Sequence, residues 1–243
     1  MRLIRKFYNS TISPDKELAR SLKPILGFTP SRLQLFKLAF YHRSMINGQE
    51  IAPGTNERLE FLGDAILSTV VAEYLFNKYP TQDEGFLTKM RSKIVKRKTL
   101  NHVAEQMGLD IILSDYSLGN MSKSMLGNAL EALVGALYIE FGYAKTRDYV
   151  ISKILMKYLD FEQLENTDDN YKSILLEYCQ KNGKTINYNL INRFKMDKRD
   201  RFRVGVEIDG EIISTAEDFN KKSAEQLASK RALHQLGVDH YED

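Results

Sequence analysis

The chain has 243 residues, 43% of them hydrophobic and 28% charged, which excludes a disordered polymer and allows one large domain or two of ordinary size. A formal net charge of +3 neither demands nor forbids an anionic partner, so any such signal has to come from local clusters. A single cysteine, Cys179, rules out an intrachain disulfide framework and a cysteine-rich zinc site, and its expected role is packing. The N-terminal MRLIRKFYNSTISPDKE has no apolar run of secretion-signal length, and nothing approaches the roughly 18 uninterrupted apolar residues of a membrane span, so the expectation is a cytoplasmic protein with no membrane partner.

Residues 1–15 are polar and basic and are read as a short leader ending at Ser13-Pro14-Asp15. Apolar residues recur at helical spacing over Lys16–Leu26 and Ser31–His42, with Gly27-Phe28-Thr29-Pro30 between them. Glycine stops one helix and Thr-Pro opens the next. A loop follows over residues 45–55, after which Asn56 is placed to cap a longer helix.

That helix, NERLEFLGDAILSTVVAEYLF over Asn56–Phe76, organises the chain. Leu59, Leu62, Ile66, Leu67, Val70 and Leu75 offer a broad packing surface, while Glu57, Glu60 and Asp64 fall at i, i+3 and i+7 and share a face. Carboxylates withdrawn from water together repel one another, so a positive partner is expected opposite them, a divalent metal being the simplest. The same acids can also serve only to complement the helix dipole on a solvated face. Gly63 weighs against that reading, because glycine inside a helix costs about 1 kcal/mol relative to alanine and makes sense where another backbone comes close.

NERLEFLGDAIL resembles the signature stretch of the ribonuclease III family, and His42-Arg43-Ser44 resembles the short element that precedes it. Beyond Tyr79-Pro80, the segment Thr81–Leu100 is expected to be helical, with Leu87, Met90, Ile94 and Val95 apolar and Lys89, Arg91, Lys93, Lys96, Arg97 and Lys98 basic. A basic helix beside an acidic site suits a phosphate backbone. Glu84-Gly85 with Leu87, Thr88 and Arg91 is similar to the family's second motif, which makes Glu84 a further acid beside Glu57.

A short helix is expected over Asn101–Leu113 and a polar loop over Ser114–Lys123; then LGNALEALVGALYIEFG, Leu126–Gly142, is apolar enough to be buried, with Gly127 and Gly135 allowing close contact. Asn128 and Glu131 lie at i and i+3 on it and can oppose Glu60 and Asp64 across a helix pair. The corresponding family motif normally carries aspartate where this chain has Asn128. Asparagine keeps an oxygen that can ligate magnesium but lacks the charge that raises affinity. A di-iron carboxylate bundle would need Glu-x-x-His pairs, whereas Glu60 is followed at +3 by Gly63 and Glu131 by Val134.

Lys145–Leu159 continues as helix, and FEQLENTDDN is suited to a linker, giving domains over residues 1–160 and 170–238 joined by 161–169. The second part orders itself as a helix (Tyr171–Asn182), strands over Ile186–Phe194, Arg201–Ile208 and Glu211–Ala216 with an Asp209-Gly210 turn, and a helix over Asn220–Leu236. This order, with KKSAEQLASKRAL at Lys221–Leu233, resembles the double-stranded RNA-binding domain. The fold class implied is therefore an all-α nuclease domain followed by a small α-β-β-β-α domain.

The resemblance implies a homodimeric endoribonuclease that cuts double-stranded RNA, such as ribosomal precursors and other structured transcripts, to 5′-phosphate products with short 3′ overhangs. It implies magnesium, with manganese as substitute, held by Glu60, Asp64, Asn128 and Glu131, the catalytic pair being Asp64 and Glu131. Phe61 matches a position that plugs into the partner subunit, the alternative being a core role. RNA contacts are expected from Lys172, Lys198, Arg199, Lys221 and Lys222, although Leu176 stands where a polar residue is usual. The alternative function is a relative that grips duplex RNA without cutting it, on account of Asn128.

Overall fold

The computed structural model describes residues 2–41, 54–116, 124–166, 170–196 and 199–238. They form two compact units, Met1–Leu164 and Glu165–Asp243. Among the described residues no helix is long and apolar enough to cross a membrane.

The first unit is helical, with α1 (Arg2–Thr11), α2 (Lys16–Leu26), α3 (Leu33–Ala39), α4 (Glu57–Lys78), α5 (Glu84–Val95), α6 (Arg97–Gln106), α7 (Leu109–Tyr116) and α8 (Ser124–Phe141) followed by shorter pieces. Its centre is the packing of α4 on α8. Leu59, Gly63, Leu67, Val70, Val71 and Leu75 make the buried ridge of α4, while Ala129, Leu130, Leu133, Val134 and Leu137 of α8 are almost wholly removed from water. The ridges cross at two glycines. A Cβ on Gly63 would collide with the carbonyl of Glu131, and one on Gly135 with the carbonyl of Leu59, so this approach requires glycine on both helices.

Two polar side chains fix the surrounding helices. Glu140, near the end of α8 and only 5% exposed, accepts hydrogen bonds from Ser31 N at 2.9 Å, Ser31 Oγ at 2.6 Å and Arg32 N at 3.3 Å. It thereby serves the open amides before α3 from more than a hundred residues away. Asn101 Oδ1 accepts from Gly127 N at 2.9 Å and ties the start of α8 to α6.

Several elements differ from the sequence reading. Residues 2–11 are helix rather than leader. Asn9 on α1 is buried and donates to the carbonyl oxygens of Pro30 at 2.9 Å and Ser31 at 3.3 Å, whereas Leu3, Ile4 and Phe7 face solvent. A helix attached by its polar side carries no core pattern to recognise. The basic segment is two helices, because Lys96 turns extended (ψ 143°) and the Thr99 hydroxyl donates to the Lys93 carbonyl at 2.8 Å.

Asn56 does not cap α4 through its side chain. Its own backbone is helical, its side-chain Nδ2 donates to Ala39 O at 3.2 Å, and Asn56 Oδ1 is buried without a hydrogen-bond partner. The helix α9 (Tyr143–Tyr149) widens into a π-helical stretch, Val150–Leu155, before α10 (Met156–Tyr158). Part of the stretch expected to be linker is α11 (Phe161–Asn166), where Phe161 and Leu164 pack on the core and Phe161 lies 5.3 Å from the Tyr74 ring. Two apolar residues within an acidic run were enough to bind it down.

The second unit contains α12 (Tyr171–Lys181), strands β1 (Ile186–Met196), β2 (Arg199–Ile208) and β3 (Glu211–Asp218), and α13 (Lys221–Gln235). The strands form an antiparallel meander in the order β1-β2-β3. Asp209 (φ 51°) and Gly210 (φ 88°) both take the positive-φ geometry of a tight hairpin turn. Thr185 N donates to Asp209 Oδ1 at 2.9 Å, and this bond holds the carboxyl below the usual aspartate range. Ala224, Ala228 and Ala232 are fully buried and let α13 lie close to the sheet, while Cys179 fills the core beneath it.

Candidate functional site

The α4/α8 crossing assembles residues nearly seventy positions apart. Gly63 abuts the backbone of Glu131; Glu60 lies one turn before Gly63 and Asp64 directly follows it, and the charges of both act on the Glu131 carboxyl. Glu131 is half-buried, Asp64 exposed and Glu60 intermediate. Burial first, then the negative charges of Asp64 and Glu60, push the Glu131 carboxyl up from 4.5 to about 7, and Arg97 at the start of α6 opposes them. This is the signature of like charges gathered in a partly dry place.

Asn128, half-buried, stands one turn before Glu131 on α8. Glu57 lies on the exposed first turn of α4, where Thr55 Oγ1 donates to its Oε2 at 3.2 Å. Glu84 sits on the exposed first turn of α5 and accepts from Thr88 Oγ1 at 2.9 Å. Neither Glu57 nor Glu84 is among the charges that raise Glu131. Among the described residues, no three acidic, histidine or cysteine side chains converge as placed to hold an ion.

The donor set is nevertheless all oxygen, three carboxylates and an amide carbonyl, the chemistry of a hard divalent cation such as magnesium or manganese. Arg97 is the cationic residue that sequence reading left undistinguished within its basic run. Only the break at Lys96, invisible in composition, brings it to the head of a new helix beside Glu131.

Phe61, next to Glu60 on α4, is 81% exposed, so the core role expected as one alternative does not hold. His42, Arg43 and Ser44 lie outside the described residues.

The second unit presents its own cationic edge. Asn220 caps α13, accepting from Lys222 N at 2.8 Å, and Lys221 and Lys222 occupy the first turn in exposed positions. Side-chain charge and the helix N-terminus there act in one direction, toward an anion. Lys172 behaves differently from what was expected of a contact residue. Its ammonium donates to Glu225 Oε2 at 2.7 Å and sits 4.4 Å from the Tyr188 ring centroid, joining α12, β1 and α13.

Glu225 was missed in the sequence; the Lys221–Glu225 spacing of four was its only signal. Arg199 opens β2, with its guanidinium 6.0 Å from the Phe219 ring. Lys198 lies outside the described residues.

Known proteins match the chain in two stretches, one within each unit. A ribonuclease-III-like family profile matches residues 33–158, and the double-stranded RNA binding motif matches residues 171–236, which defines the class: a helical nuclease domain followed by a duplex-RNA-binding module. Ribonuclease 3 of Flavobacterium psychrophilum is 41% identical over 234 residues, 95% of each chain. That of Zunongwangia profunda is 40% identical over 238 residues, 97% of this chain and 98% of its own. The nuclease domain of the Campylobacter jejuni enzyme, 31% identical, covers 57% of this chain and 96% of its own with a TM-score of 0.49.

The chain belongs to the ribonuclease III family. It is an endoribonuclease acting on double-stranded RNA, and the alternative of a relative that binds without cutting is set aside.

Proposed function

We propose that cleavage is divalent-cation dependent and runs at the α4/α8 crossing, with Glu60, Asp64, Asn128 and Glu131 as the residues that would hold magnesium or manganese, and Asp64 and Glu131 as the catalytic pair. The observation that carries this is the glycine-lined contact that sets Glu131 of α8 beside the two acids of α4. A cation bound there supplies an activated water and neutralises charge on the scissile phosphate. The chain's own part is to hold the backbones rigid at the crossing, leaving only side-chain torsions to adjust, and to keep Glu131 half-buried. Asn128 contributes a neutral oxygen, so the site carries one negative charge fewer than with aspartate. Glu57 and Glu84 are outlying acids in this reading.

The products are proposed to carry 5′ phosphates and short 3′ overhangs, and the substrates to include ribosomal precursors and other structured transcripts, in the cytoplasm. A homodimer is proposed as the working form; the large apolar ring of Phe61, in solvent beside Glu60, supports a partner surface there. Duplex recognition is assigned to Lys221 and Lys222 at the start of α13, with Arg199 and Lys198 as a second contact, reading shape rather than sequence.

Labelled duplex RNA incubated with magnesium, with EDTA, and with the Glu131→Ala protein tests the reading. Cleavage only by the unaltered protein with metal is the expected result; cleavage by Glu131→Ala at the same rate overturns it.

A further inference from the structure

On the second unit, alternation along β2 puts Arg201 and Arg203 on one face, and the register sets Arg203 opposite Glu217 and Gly205 opposite Thr215 of β3. From α13, Arg231 reaches the same edge and donates through Nη1 to Thr215 O at 2.6 Å. Together Arg201, Arg203, Arg231, Thr215, Ala216 and Glu217 line a notch of about 220 Å³. One carboxylate faces three guanidinium groups. Glu217 forms ion pairs with Arg201 Nε at 3.6 Å and Arg203 Nε at 3.7 Å, both beyond hydrogen-bond distance.

A solvated arginine face would satisfy its donors with water. Here Arg201 Nε is closed off from solvent and has no hydrogen-bond partner, while its Nη1 donates to Met196 Sδ at 3.0 Å and its guanidinium carbon lies 5.3 Å from the Phe219 ring centroid. A buried N–H without an acceptor is costly. Arginine forks match tetrahedral oxyanions in geometry as well as charge.

We propose that this notch is an anion site for a phosphate group, presented either by a nucleic-acid backbone or by a small phosphorylated molecule. It is separate from the cationic start of α13: Arg231 follows Lys221 by ten residues, about 15 Å along a helix, so the two places cannot grip one phosphate.

The test uses the full chain in EDTA and a chloride buffer, with inorganic phosphate as the first probe and a short RNA duplex as the second. Calorimetry should give saturable phosphate binding that weakens about tenfold in Arg203→Gln and less in Arg203→Lys, which keeps the charge but not the fork. The arginine Nε–H resonance of Arg201 should shift on phosphate addition. If Arg203→Gln also lowers duplex affinity and reduces the salt slope by about one, the phosphate belongs to a nucleic-acid backbone. If duplex affinity is unchanged, it belongs to a small phosphorylated molecule. Equal phosphate binding by the unaltered and Arg203→Gln proteins, or none by either with the Arg201 resonance unmoved, overturns the proposal.

Discussion

The acidic crossing of the first unit and the Glu225 pairing of the second treat charge in opposite ways. At the α4/α8 crossing of the first, acids are collected so that the charges of Asp64 and Glu60 raise the Glu131 carboxyl, with Arg97 opposing them. In the second, the buried carboxylate Glu225 is answered directly by Lys172 at 2.7 Å and, more loosely, by Lys221 at 3.9 Å. Satisfied pairs hold a structure together, whereas gathered like charges make sense where a ligand completes them. On the proposed function, the first place is the one for chemistry and the second one for support.

The contrast is broken most severely by removing the gathered acids. Asp64→Ala or Glu131→Ala should lower cleavage on the order of 10³-fold, while duplex affinity measured in EDTA stays unchanged. A comparable loss of duplex binding would mean that these acids support the fold instead. Next in size is Gly63→Ala, which drives a methyl group into the Glu131 carbonyl. A loss of about 1–3 kcal/mol or more is expected in the first unit, read by calorimetry, with the transition of the second unit unmoved.

Lysines of the second unit sharpen the comparison. Lys172→Met should destabilise that unit by about 1–2 kcal/mol by leaving Glu225 without its short ion pair. Lys221→Gln with Lys222→Gln should leave stability nearly unchanged while weakening duplex binding and lowering its salt slope by about one to two. Reversed behaviour of the two sets would exchange their roles.

A further effect follows from pH. The Glu131 carboxyl is raised from 4.5 to about 7, so the folded metal-free protein holds this proton more tightly than the unfolded chain does. Its contribution to stability is present below about 4.5 and is lost as pH rises through about 7. The difference in stability between the unaltered protein and Glu131→Gln should therefore shift in favour of the variant between these limits, and magnesium should release protons near neutral pH. A difference that does not vary with pH would contradict the crowding of charge.

What was legible in the sequence was whatever repeats along a helix or a strand. The acids of α4, the apolar face of α8 and the glycines within both were all readable, because period and breaker identity carry them. The Asp209-Gly210 hairpin was readable for the same reason. What escaped depends on contacts distant in sequence. Asn56 looks like a cap but is turned toward Ala39; Lys172 looks like a surface cation but is held by Glu225; α1 docks through Asn9 rather than through its apolar residues. Arg97 gained its place from a single extended residue, Lys96, within a run that otherwise reads as continuous helix.

The central claim is that acids from two helices share one cation, and manganese titration followed by electron paramagnetic resonance tests it directly. The unaltered protein should bind the ion, and Asp64→Asn on α4 and Glu131→Gln on α8 should each weaken binding by about tenfold or more. Binding that survives either substitution at full affinity would contradict a shared site.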